Sequence, residues 1–163
     1  MEEKVITRQP REDRGSEKPA QRDWKKLIAK AHLHPIMVHF PNALFPVALI
    51  LLGLSYWTGD RSFEMASFYT LTFGTLAVPW AIATGLFSWK TRFRGNVTRI
   101  FVEKIVWSIL LLILSIITIL LRGLMPDIAT QASMAGWIYV GLMVSLTLLV
   151  VRLGFLGGKL VFF

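Results

Sequence analysis

The chain contains no cysteine in 163 residues. That removes disulfides, thiolate-held iron–sulfur clusters, covalently attached c-type haem and cysteine-ligated zinc. Histidine is nearly as scarce, with three residues at positions 32, 34 and 39. Carboxylates are rare wherever apolar residues are dense. Beyond Asp23 they are Asp60, Glu64, Glu103 and Asp127; the spacing puts Glu103 near the start of a span and the rest in loops. Proton-coupled carriers keep an ionisable group at depth, so a four-helix exporter is disfavoured. The sequence also lacks a Gly-rich phosphate loop, a His-Glu-x-x-His helix and a nucleophile elbow. Its serines at 55, 67, 88, 108, 115 and 145 read as packing residues that hydrogen-bond within their own helices.

Hydrophobic residues make up 54% of the chain, in runs too long for a small soluble core. Nine of the eighteen Lys and Arg lie before His32. Such segregation describes an all-α integral membrane protein, a four-helix bundle with a disordered basic N-terminal tail. The net charge of +8 belongs to segments that face anionic lipid. Its basic residues are interleaved with Pro, Glu and Asp and almost no aromatics, so nucleic acid is not an expected partner. Residues 1–23 show no hydrophobic periodicity and are expected to be disordered. In 24–33, Trp24, Leu27, Ile28 and Ala31 share one face while Lys25, Lys26 and Lys30 point away, as in a short interfacial helix.

Residues 34–163 form the transmembrane domain, with apolar spans at about 35–57, 65–89, 101–121 and 136–155. Each exceeds the roughly 17 residues that cross the hydrocarbon. The first span comes after a mixed-charge segment and is followed by no small-residue cleavage site, so it is expected to stay in the membrane. Short loops make consecutive helices antiparallel neighbours. The loop between the second and third spans carries Lys90, Arg92, Arg94 and Arg99, whereas the first loop has Arg61 and the third has Arg122 at its edge. By the positive-inside rule both termini and the middle loop are expected to be cytoplasmic.

Within the second span Ser67, Thr70, Gly74, Ala77, Ala81, Thr84 and Ser88 recur every three or four residues, a small-residue seam for close helix packing. Lys104 and Arg122 stand near opposite ends of the third span, where both can snorkel. In the fourth span Gly141, Ser145 and Arg152 share a face, and Gly157-Gly158 reads as a break before an apolar tail.

The stretch His34-Pro35-Ile36-Met37-Val38-His39-Phe40-Pro41-Asn42-Ala43-Leu44 concentrates the unusual chemistry at the first membrane boundary. A helix that continues inward loses the bonds to the carbonyls of Met37 and Asn42 at Pro41 and Pro46. His39, Asn42, Pro46 and Gly53 fall on one helical face, taken here as the inward one. His39 and Asn42 are therefore candidate ligand groups, with His34 nearer water to orient a polar headgroup. The plainer alternative is an interfacial helix start with hydrogen-bonding side chains.

These residues resemble the motif HPxxVHFPxAL of a bacterial membrane family catalogued only as a domain of unknown function (DUF2231). Thr84-Gly85-Leu86-Phe87-Ser88-Trp89 is similar to a second motif, TGxxDW, with Ser88 where an acid is common. Gly157-Gly158-Lys159-Leu160-Val161-Phe162 is similar to a closing motif, GGxLVY. Some members of that family are fused or adjacent to redox domains. The resemblance implies a four-helix membrane protein associated with electron transfer, with b-type haem or quinone at the cytoplasmic boundary and membrane or cytoplasmic redox partner subunits. His39 is then the candidate haem-iron ligand, and His39, His34 and Asn42 are the cofactor-binding set. A histidine common near the start of the third span is missing, with Glu103 and Lys104 in its region. A second axial ligand would have to come from His32, His34 or a partner. The alternative is a non-catalytic membrane anchor or structural subunit.

Overall fold

Long apolar runs separated by short polar turns give four helices among the residues that the computed structural model describes, 33–92, 97–130 and 133–162. They are α1 (Leu33–Thr58), α2 (Arg61–Arg92), α3 (Arg99–Leu124) and α4 (Met134–Phe162). Each contains a stretch long and apolar enough to cross a membrane. The helices pack as a ring in chain order, α1 on α2, α2 on α3, α3 on α4 and α4 back on α1. The chain is thus an integral membrane four-helix bundle. The expected tail at 1–23, and all of the expected interfacial segment except Leu33, lie outside the described residues.

Local chemistry sets the turns. Gly59 adopts φ +71 and its N–H donates to the Ser55 carbonyl at 2.9 Å, ending α1 in the left-handed conformation that glycine adopts without strain. Asp60 then caps α2, its carboxylate accepting from the Ser62 backbone N–H at 2.8 Å. The Ser62 contacts hold this exposed carboxyl below the usual carboxylate range. Thr98 caps α3 by accepting from Phe101 N–H at 3.3 Å. α1 runs unbroken through Pro41 and Pro46, and α2 through Pro79.

Three expectations are corrected. Helix α2 begins at Arg61, so Glu64 belongs to its first turn rather than to a loop. Helix α4 runs through Gly157 and Gly158 rather than breaking there. The buried face of α1 is Pro41, Phe45, Ala48, Leu52 and Ser55, not the face of His39 and Gly53, which are both exposed. Lipid is as apolar as leucine, so polarity does not select the inward face; packing does. Phe45 and Leu44 sit against Gly74 of α2, where an added Cβ would lie 3.2 Å from Leu44 Cβ. Ser67 ties the same pair of helices by donating to the Ala48 carbonyl at 2.7 Å.

The core is uneven along the membrane normal. On α2 every fully buried residue lies at or before Val78, and on α3 at or after Leu111. Leu71, Leu111, Tyr139, Met143 and Leu146 form that denser half. The α3–α4 loop turns inward there, burying Ile128 and Ala129. The opposite end, where α1 starts and Arg99 opens α3, has fewer buried residues and most of the basic ones.

Gly74→Leu should destabilise the bundle by roughly 1–3 kcal/mol through overpacking. Phe73, exposed at the helix surface, should accept leucine with little change. Thermal unfolding in detergent measures both, and an unshifted Gly74→Leu variant would mean that the α1–α2 contact is not close.

Candidate functional site

Two polar sites emerge, one at each end. At the dense end Glu64 and Arg122 form an ion pair inside the bundle, with Glu64 1% and Arg122 6% exposed. Arg122 Nε donates to one carboxylate oxygen and Nη2 donates to the other at 2.8 Å. The guanidinium also lies 5.4 Å from the Phe68 ring centroid and 3.8 Å from Met65 Sδ. Tyr139 of α4 is buried in the same dense half of the bundle. Arg122 was expected to snorkel outward; instead it turns inward, because the extra turn of α2 presents a carboxylate to it. Glu64 and Arg122 satisfy one another, and no buried side-chain nitrogen or oxygen among the described residues lacks a hydrogen-bond partner. Such a closed pair can lock helices. It offers no free group for proton transfer.

At the basic end the candidate residues are arranged differently from the sequence reading. His39 is exposed on α1, and the side chain of His34 lies outside the described ones. Asn42, one turn beyond His39, is half-buried and points at α4: its Nδ2 lies 3.5 Å from where a Cβ on Gly154 would be. Lys104 of α3, which the sequence reading left as a snorkelling residue, is half-buried too. Its Nζ lies 3.5 Å from where a Cβ on Gly157 would be. Positions three apart on a helix have Cβ atoms about 5–6 Å from one another. The two nitrogens therefore approach α4 within one turn of each other, at positions where the helix carries no side chain. Neither Asn42 nor Lys104 makes a hydrogen bond or an ion pair with another described residue. Trp89 stacks on Phe101, ring centroids 4.8 Å apart, and joins α2 to α3 at the same end.

Of the predicted set, Asn42 faces a neighbouring helix, His39 stands at the margin and no third metal-ligating group joins them among the described residues. Sequence reasoning left Lys104 as a snorkelling residue and did not bring it to the same helix as Asn42; it read Gly157-Gly158 as a break and did not single out Gly154. It also missed the Glu64–Arg122 pair, whose signal is a lone acid and a lone arginine at adjoining ends of consecutive spans.

Removing one member of a buried ion pair leaves the other charge unsatisfied and costs about 3–5 kcal/mol. Arg122→Met should do so, and adding Glu64→Leu should recover most of the loss, since a well-packed apolar pair often replaces a buried salt bridge without penalty. Arg61 and Asp127 also pair, at 2.8 Å, but both are exposed. Arg61→Ala should cost at most about 1 kcal/mol. Chemical or thermal unfolding in detergent compares the set; a double variant no better than the single one would show that the pair is not coupled.

No curated protein and no solved structure matches the chain. A family model does match residues 30–163, which takes in all four helices and both polar ends. The chain belongs to the family described as predicted membrane protein (DUF2231).

Proposed function

We propose that the chain is a membrane subunit associated with electron transfer that holds a quinone headgroup at the basic end of the bundle. One observation carries the reading. Two hydrogen-bond donors, Asn42 Nδ2 and Lys104 Nζ, converge on the glycine positions 154 and 157 of α4 with no acceptor from the described protein. A quinone presents two carbonyl acceptors on a flat ring and carries an apolar tail. Glycines allow such a ring to approach a helix backbone closely. The exposed apolar surfaces of the helices suit the tail.

Haem fits less well inside the bundle. His39 is off the buried face of α1, so an iron held by it would sit at the outer surface of this chain, against lipid or a partner subunit. For a quinone the residues divide the work. Asn42 would fix the ring by donating to one carbonyl. Lys104 would place a proton-bearing positive charge at the other. His39, one turn nearer the boundary, would stand at the mouth of the site. The quinone itself would supply reversible electron uptake, and a partner subunit the electrons.

The test is titration of the purified, detergent-solubilised protein with a short-tailed quinone analogue. The wild type should bind it. Asn42→Leu and Lys104→Met should each weaken binding by about 10-fold or more, the size expected for one lost hydrogen bond in a dry site. A folded wild type that binds no quinone analogue would end this reading and leave a non-catalytic membrane anchor in its place.

A further inference from the structure

The carboxylates of the described residues are all engaged. Glu64 pairs with Arg122, Asp127 with Arg61, and Glu103 with Arg99 at 3.3 Å, while Asp60 caps α2. Arg152 and Lys159 of α4 therefore have no anionic partner among the described residues. Both are exposed. They share one helical face with Phe155, because 152, 155 and 159 are spaced by three and four. Each cation rests on an aromatic ring: the Arg152 guanidinium lies 4.8 Å from the Trp107 centroid of α3, and Lys159 Nζ lies 4.8 Å from that of Phe155.

Depth makes this arrangement unusual. Arg152 lies seven residues before Lys159, where the membrane-length apolar stretch of α4 ends, about 10 Å along the helix. Leu148 and Val151 beside it are exposed and apolar, as a lipid-facing surface requires. An arginine on such a surface is costly in hydrocarbon unless an anion comes to meet it. The guanidinium rests over the Trp107 ring and has no ion-pair partner among the described residues. A guanidinium is suited to two oxygens of a phosphate.

We infer that this α3–α4 face, with Arg152 and Lys159, is a binding site for an anionic phospholipid whose phosphate is drawn below the ordinary headgroup plane. Basic positions between membrane helices are a recurrent setting for such headgroups. The exposed apolar side chains around Arg152 receive the acyl chains, and Lys159, nearer the boundary, holds the headgroup's outer edge. The site is separate from the one built on Asn42 and Lys104, and its test reads lipid rather than quinone.

Purified protein in detergent is titrated with phosphatidylglycerol or with phosphatidylcholine of the same chains, and retained lipid is counted by native mass spectrometry. The wild type should retain phosphatidylglycerol over phosphatidylcholine by about tenfold, a difference within reach of one bidentate phosphate contact. Arg152→Gln should abolish the preference, Arg152→Lys should keep part of it, and inorganic phosphate should not displace the lipid. Equal retention of the two lipids by the wild type would overturn the proposal. So would an undiminished preference in a folded Arg152→Gln, Lys159→Gln double variant, or displacement by phosphate alone.

Discussion

A carboxylate and a guanidinium cannot be left singly inside an apolar bundle, and that constraint organises the dense end of this protein. Once Glu64 stands in the first turn of α2, Arg122 on α3 has one favourable partner, and the fork geometry of the pair fixes how the two helices meet. Phe68 and Met65 extend the contact along α2, and Tyr139 of α4 with Ile128 and Ala129 of the α3–α4 loop are buried in the same half of the bundle. The pair adds little net attraction once desolvation is counted. Its effect is to make misaligned arrangements costly, because each would strand a charge.

The remaining structure follows from what is left at the other end. With Glu64 and Asp127 engaged at the dense end and Glu103 spent on Arg99, the basic end has no free carboxylate among the described residues for Lys104, Arg152 or Lys159. Those cations must meet ligand, lipid or water. The bundle is accordingly two-ended: one end is closed by protein against protein, and the other presents donors that no described residue satisfies. Asn42 against Gly154 and Lys104 against Gly157 are the inward-facing expression of that imbalance, and Arg152 on Trp107 is the lipid-facing one.

Much of this fold was legible in sequence because membrane thickness sets a length that apolar runs either meet or do not. The four spans and their antiparallel order come from that alone. Faces were harder to read. Placing His39 inward relied on polarity, which discriminates between water and core but not between lipid and core; size complementarity between Phe45, Leu44 and Gly74 decided the rotation of α1 instead. Helix ends were the other weak point. Glu64 looked like a loop residue because a charge usually ends a span, and Gly157-Gly158 looked like a stop because glycine often ends a helix. At the first of these the tertiary partner Arg122 holds Glu64 within the helix, and at the second α4 continues through both glycines. Asn42, from the proline-flanked stretch, does face a neighbouring helix, at Gly154 of α4.

The two-ended bundle is the central claim, and the lack of cysteine makes it directly measurable. Single variants Asn42→Cys and Lys104→Cys at the basic end, and Ser67→Cys and Thr118→Cys in the dense half, are treated in lipid nanodiscs with a small charged thiol reagent that reaches both surfaces. The account predicts rapid labelling at positions 42 and 104 and protection at 67 and 118. Labelling of Ser67→Cys and Thr118→Cys with protection of the other two would contradict it.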